Sequence, residues 1–210
     1  MKGADAGETG PGGGIVFTIG HSTHDTAAFL GLLALHGVTA VADVRSVPFS
    51  RFNPQFNRDR LAAALKQAGI AYAGLGAQLG ARSSDPGCFR DGRVCFDSLA
   101  RSAPFQAGLA RIVRGAQTRR IALMCAEKDP LDCHRTILVA RRLVERGLAV
   151  RHILANGALE SHAAALDRLC RRMGLAAGDL FLTPAQLRQM ALERRAGEIA
   201  WRGAPEDAGG

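Results

Sequence analysis

The chain reads as one α/β domain with a mainly parallel sheet, flanking helices and a C-terminal helical extension. Short apolar runs alternate with amphipathic stretches of helical length, and parallel neighbours need such crossovers. Its 210 residues fill one domain but are too short for two once the tails are set aside. With 47% hydrophobic and 22% charged residues and a mean hydropathy of +0.02, the composition is globular rather than disordered.

The elements follow in order. Residues 1–14 hold six glycines and no apolar h-region, so they read as a flexible leader and not as a signal or transit peptide. A strand over Ile15–Ile19 meets the polar turn Gly20-His21-Ser22-Thr23, and a helix over Asp25–His36 stops at Gly37. A second strand, Thr39–Val44, is followed by a loop over Arg45–Pro54 and a helix over Asn57–Ala68. Ile70–Leu75 is a third strand, and Gly76–Cys95 a long loop carrying Arg82, Arg90 and Arg93. A helix over Phe105–Ala116, a strand over Arg120–Met124, a loop over Cys125–Asp132 and a helix over His134–Arg146 come next. A strand over Ala149–Leu154 and a basic helix over Leu159–Met173 complete the domain, 15–174. In the extension, 175–210, Thr183-Pro184 starts a helix running to Ala200, and Gly203–Gly210 should fray.

The net charge is +8, with a pI near 10.1. That balance points to anionic partners. Residues 168–202 carry seven arginines against Asp179, Glu193 and Glu198, with Phe181 and Trp201 as their aromatics, so the extension is the first candidate surface for nucleic acid. The competing reading is a solvated amphipathic helix packed on the domain. Five cysteines in a chain without an export signal suit reduced thiols, which with the absence of a long apolar run indicates a cytoplasmic protein with no membrane partner.

In an open parallel sheet, ligands bind at the C-terminal ends of the strands. The reactive side chains collect there: His21 and Ser22 after the first strand, Asp43, Arg45 and Ser50 after the second, and Cys125, Glu127, Cys133, His134 and Arg135 after the fourth. Asp43 and Glu127 are candidate acid and base, with His21 assisting. Cys133, or Cys125, is the candidate nucleophile if its thiol is activated. Arg45 and Arg135, with Ser22, Ser50 and His134, are candidate substrate contacts. The plainer reading makes Asp132 a helix cap, pairs the arginines with the carboxylates, and leaves the cysteines as packing.

These pieces resemble the bacterial family known as domain of unknown function 488. The likeness is carried by Thr18-Ile19-Gly20-His21-Ser22, Asp43-Val44-Arg45 with Pro48 and Ser50, and Gly69-Ile70-Ala71-Tyr72 with Leu79-Gly80. Cys125-Ala126-Glu127, Cys133-His134-Arg135 and Val150-Arg151-His152-Ile153 complete it, and the extension lies beyond it. The resemblance implies no activity. A weaker likeness, of Asp-Val-Arg and a strand-end cysteine, is to rhodanese domains and to cysteine phosphatases, so the sheet is expected to be rhodanese-like or doubly wound. Those families set an arginine about six positions after the cysteine. Here Cys125 precedes Arg135 by ten and Cys133 by two, so their mechanism does not carry over.

The expectation is an enzyme, a hydrolase or transferase with acid–base or cysteine chemistry, acting on a phosphorylated or other anionic small molecule or nucleotide. One alternative is a non-catalytic nucleic-acid-binding protein using its arginines. Another is a metal-binding protein through Cys125, Cys133 and His134, with His21 as an extra ligand. No cofactor is assigned, and metal ranks last because Cys-x7-Cys-His is not a usual zinc spacing.

Overall fold

The structure is a computed structural model that describes residues 14–175 and 182–203. Most of the expected leader, and Asp179 and Phe181 of the extension, lie outside the described residues. Strands β1 (Ile15–Gly20), β2 (Ala40–Asp43), β3 (Ala71–Gly74) and later β6 (Ile121–Cys125), β7 (Ala149–Ile153) and β8 (Leu159–Ser161) form one six-stranded sheet of order β3-β2-β6-β1-β7-β8. All neighbours are parallel except β7 and β8. The α/β fold with a mainly parallel sheet is therefore as the alternation predicts. Because β6 is inserted between β2 and β1, the ends of these three strands stand side by side at the middle of the sheet.

Helices α1 (Thr26–Leu35) and α2 (Arg58–Gln67) cover one face. Asp25 caps α1 by accepting from the Ala28 N–H at 2.7 Å. The strands show the period of two that a sheet buried on both faces requires: Phe17, Ile19, Val41, Ala122 and Met124 point to this side, Val16, Ala42, Leu123 and Cys125 to the other. The second face is covered by α5 (Ala103–Gly115), by the helix opening at Arg135, and by α7 (His162–Arg172) and α8 (Pro184–Ile199).

Several local features differ from expectation. Within Gly76–Cys95 the chain forms a short helix α3 (Gly76–Leu79) and a hairpin of β4 (Phe89–Arg90) and β5 (Arg93–Val94), and α4 (Phe96–Arg101) precedes α5. Leu159–Ser161, expected to open a helix, pairs with β7, and Ser161 then caps α7 through the Ala164 N–H. The helix after Cys133 begins as a wide π-turn over Arg135–Ala140 and narrows into α6 (Arg141–Val144).

The extension docks on the domain. Leu187, Ala191 and Leu192 of α8 enter the larger core, and the arginines of α7 and α8 find acids. Arg168 holds Asp129 and Glu160, Arg172 and Arg195 share Asp132, and Arg188 pairs with Asp167. Much of the basic charge expected to face a polyanion is thus internally paired. No helix among the described residues is long and apolar enough to cross a membrane.

Gly20 ends β1 where the chain after β6 crosses it. A Cβ there would lie 1.8 Å from the Glu127 carbonyl oxygen, whereas one at Gly31 in α1 would meet nothing within 4 Å. Gly20→Ala should destabilise the fold by about 3 kcal/mol or more, and Gly31→Ala should stabilise it by about 0.5–1 kcal/mol. Urea midpoints moving in opposite directions check the pair.

Candidate functional site

The expected site residues meet at the C-terminal edge in two groups, one against each face. On the α1/α2 side, Asp43 and Arg45 form a buried bidentate pair, with Nε to Oδ1 at 2.9 Å and a terminal nitrogen to Oδ2 at 2.7 Å. The same guanidinium donates to the Phe56 carbonyl at 2.8 Å. Its other terminal nitrogen lies 3.2 Å from His21 Nε2. Since Arg45 can only donate, Nε2 is the acceptor and the imidazole proton sits on Nδ1, which donates to the Ser22 carbonyl at 2.9 Å. Burial is the main cause that pushes His21 down to about 4, and Arg45 adds to it. The ring also stacks on Phe56 at 4.3 Å. Tyr72 donates to Asp43 Oδ2 at 2.9 Å; burial and that carboxylate push its hydroxyl well up.

On the opposite face, Cys125 at the end of β6 meets Cys133 and His134 at the opening of the next helix. Their ligand atoms all lie within 4.8 Å of one another, and all three residues are buried. His134 Nδ1 is 3.8 Å from Cys125 Sγ and 3.7 Å from Cys133 Sγ. Its Nε2 lies 3.0 Å from the Val44 carbonyl and donates to it, which turns Nδ1 toward the sulfurs. Although burial opposes ionisation, the Cys125 thiol, Arg135 and His134 together hold Cys133 well below the usual thiol range. Hydrogen bonding to Cys133 and burial push Cys125 up. Glu127 lies against the two sulfurs yet is 43% exposed; partial burial and Cys133 raise its carboxyl.

Arg135 ties the sulfur group to the loop after β6. Wholly buried, it donates to the Glu127 carbonyl at 2.8 Å and to the Lys128 carbonyl at 3.4 Å, and a carboxylate oxygen of Glu127 is 3.9 Å away. Both arginines expected to contact an anion are therefore engaged within the protein. Ser22 holds a left-handed backbone (φ 48°), a strained state for a serine. Ser50 is engaged in its own loop, its N–H on Asn57 and its hydroxyl accepting from the Asn53 N–H. His21 is not in the sulfur group.

The family model for Domain of unknown function DUF488 matches residues 25–142, more than half of the chain. The chain belongs to this family. No curated protein and no solved structure matches it. The DUF488 segment contains Asp43, Arg45, Tyr72 and the whole sulfur group, while His21 and Ser22 precede it. Sequence reasoning passed over Tyr72 and Phe56, which contact Asp43, Arg45 and His21 here. Tyr72 is the single tyrosine of the chain and lies on the strand next to that of Asp43, a signal that gains meaning only once β2 and β3 are known to pair in register.

Two expectations follow for this DUF488 protein. Asp43→Ala leaves Arg45 buried without its carboxylate and should cost about 3–5 kcal/mol in urea unfolding, against about 1 kcal/mol for Tyr72→Phe. Folded His21 stays neutral to about pH 4, whereas the unfolded imidazole takes up a proton near 6.5. The unfolded state thus binds more protons between those values, and stability falls as pH drops through that window, by about 3 kcal/mol for this group. His162, also pushed by burial to about 4, adds to the loss. Urea midpoints measured from pH 7 to pH 4 should fall less steeply in His21→Asn.

Proposed function

We propose that this protein is a metal-dependent hydrolytic enzyme whose centre is one soft divalent ion, zinc first, held by Cys125, Cys133 and His134, and whose substrate is anionic. The observation that carries the reading is the spacing of the three ligand atoms. Zinc–sulfur and zinc–nitrogen bonds of usual length give a tetrahedron with an S···N edge of ~3.6 Å. The two S···N distances are 3.7 and 3.8 Å. These are long for hydrogen bonds to a thiol and close to what a shared ion demands. Histidine ligands ordinarily donate their second N–H to a carbonyl or carboxylate, and Val44 supplies the carbonyl.

Three protein ligands leave one place for water, as catalytic zinc sites do. A metal held by these three residues would supply an acidified water, and Glu127, the partly exposed carboxylate beside the sulfurs, would be the group placed to take up its proton. Arg135 fixes Glu127 through the carbonyl of the same residue. Asp43, Arg45 and His21, on the other face, hold the Val44 segment, and so orient His134 from behind. The metal reading, third in rank from sequence, thus moves ahead of a free cysteine nucleophile. The basic excess of the chain supports an anionic substrate.

A second reading is favoured by the nearness of the two buried sulfurs, which lie within 4.8 Å of each other: a dithiol that cycles with a disulfide. Elemental analysis of the full chain separates the two. The expected result is one zinc per chain, lost in Cys133→Ser and in Cys125→Ser with the fold retained by circular dichroism. Cobalt substitution should give a thiolate charge-transfer band. Metal-free protein with both thiols titrating, or with a reversible disulfide, would overturn the metal reading in favour of the dithiol.

A further inference from the structure

The loop between β2 and α2 is unusual for a buried edge. Phe49 is 63% and Phe52 91% exposed, and Val47 beside them is 37% exposed. Two large aromatics held in water lose burial for no packing gain, and such groups mark contact surfaces. The charge around them has one sign. From Val44 to Arg58 the chain contains Arg45, Arg51 and Arg58 and no acidic residue. Among the described residues, neither Arg51 nor Arg58 forms an ion pair, unlike most arginines of α7 and α8.

Next to this loop, at the ends of β2 and β3, lies a polar cavity of about 410 Å³ lined by Ser46, Arg58, Gly76, Gly80, Arg82 and Ser83, among others. It is a built feature. Gly76 and Gly80 let the backbone close in: a Cβ at Gly76 would lie 2.0 Å from the Arg45 carbonyl oxygen, and one at Gly80 2.4 Å from Ser46 Oγ. Ser46 Oγ accepts from the Arg82 N–H at 3.1 Å, which leaves its own proton free to donate. The Arg82 guanidinium stacks 5.3 Å over Trp201, and among the described residues no carboxylate pairs with it. Asp85 is the acidic residue of the wall, and its carboxylate caps the Gly87 N–H at 2.8 Å.

Flat aromatics, unpaired guanidiniums and free hydroxyl donors are what a single-stranded nucleic acid requires: stacking for its bases and charge-assisted donors for its phosphates. We propose that this edge binds single-stranded nucleic acid, with bases stacked on Phe49 and Phe52 and a backbone phosphate in the Ser46–Arg58–Arg82 cavity. Three consecutive residues tie it to the site: the Val44 carbonyl holds His134, the Arg45 side chain holds Asp43, and Ser46 lines the cavity. The inference deepens the proposed function by naming the class of anionic substrate, and it rests on that reading only for catalysis. Binding stands apart from the metal. The surface differs from the C-terminal extension, whose arginines are mostly paired.

Fluorescence anisotropy of the full chain with labelled twelve-nucleotide single strands, DNA and RNA, tests it, with the matching duplex and inorganic phosphate as competitors. Single strands should bind in preference to duplex. Phe49→Ala and Phe52→Ala should each weaken binding about tenfold, and Arg58→Gln should weaken it and flatten its salt dependence. All three positions are exposed or line the cavity rim, so folding and zinc content should match the wild type. Cys133→Ser should lose metal and keep strand binding, so failure of one proposal is distinguishable from failure of the other. Absence of strand binding, equal affinity for duplex, or affinity unchanged in the phenylalanine variants would overturn the inference.

Discussion

Arg135 is a wholly buried cation whose nearest carboxylate oxygen stands 3.9 Å off, and much of the site depends on how that charge is satisfied. A bare guanidinium in an interior is costly. Here backbone carbonyls of Glu127 and Lys128 take up the charge, which fixes the turn after β6. That turn passes over Gly20 at a distance no side chain would permit, and returns the chain to Cys133 beside Cys125. The cation therefore acts on the chain's path rather than on a ligand. Arg45 does the same on the other face through Asp43 and the Phe56 carbonyl.

The alternation of strands and helices was legible because period-two and helical patterns are local properties of the chain. The clustering of reactive residues was legible because parallel strands must end at one edge. The division into two faces was not drawn from the sequence, although parity along β1, β2 and β6 contains it: Asp43 follows Val41 and His21 follows Ile19 on one side, while Cys125 follows Leu123 on the other. The spacing Cys-x7-Cys-His placed metal last, and adjacent residues such as Cys133 and His134 diverge in regular structure. They stand instead where an extended backbone turns into a helix, with Cys133 at φ −135° and His134 at φ −59°, so neighbouring side chains can converge. Spacing rules for zinc describe common hairpin turns, and this turn is of another kind.

Charge shows a similar gap between composition and placement. The excess of +8 drew attention to the C-terminal arginines. Folding pairs Arg168, Arg172, Arg188 and Arg195 with acids from the loop before Cys133 and from β8 and α7, which makes α8 part of the domain's closure. Arg51 and Arg58, which attract less notice in a count, stand beside exposed phenylalanines. Pairing depends on tertiary neighbours, and a linear tally does not see them.

Val44 has a further significance. Its side chain packs in one core while its carbonyl oxygen accepts from His134. A main-chain atom performs the recognition, so every amino acid at this position supplies the same acceptor. Saturation mutagenesis at residue 44 would register volume and shape and remain silent about the imidazole. The element that orients His134 is thus genetically invisible, protected from point substitution and exposed only to changes that move the strand itself.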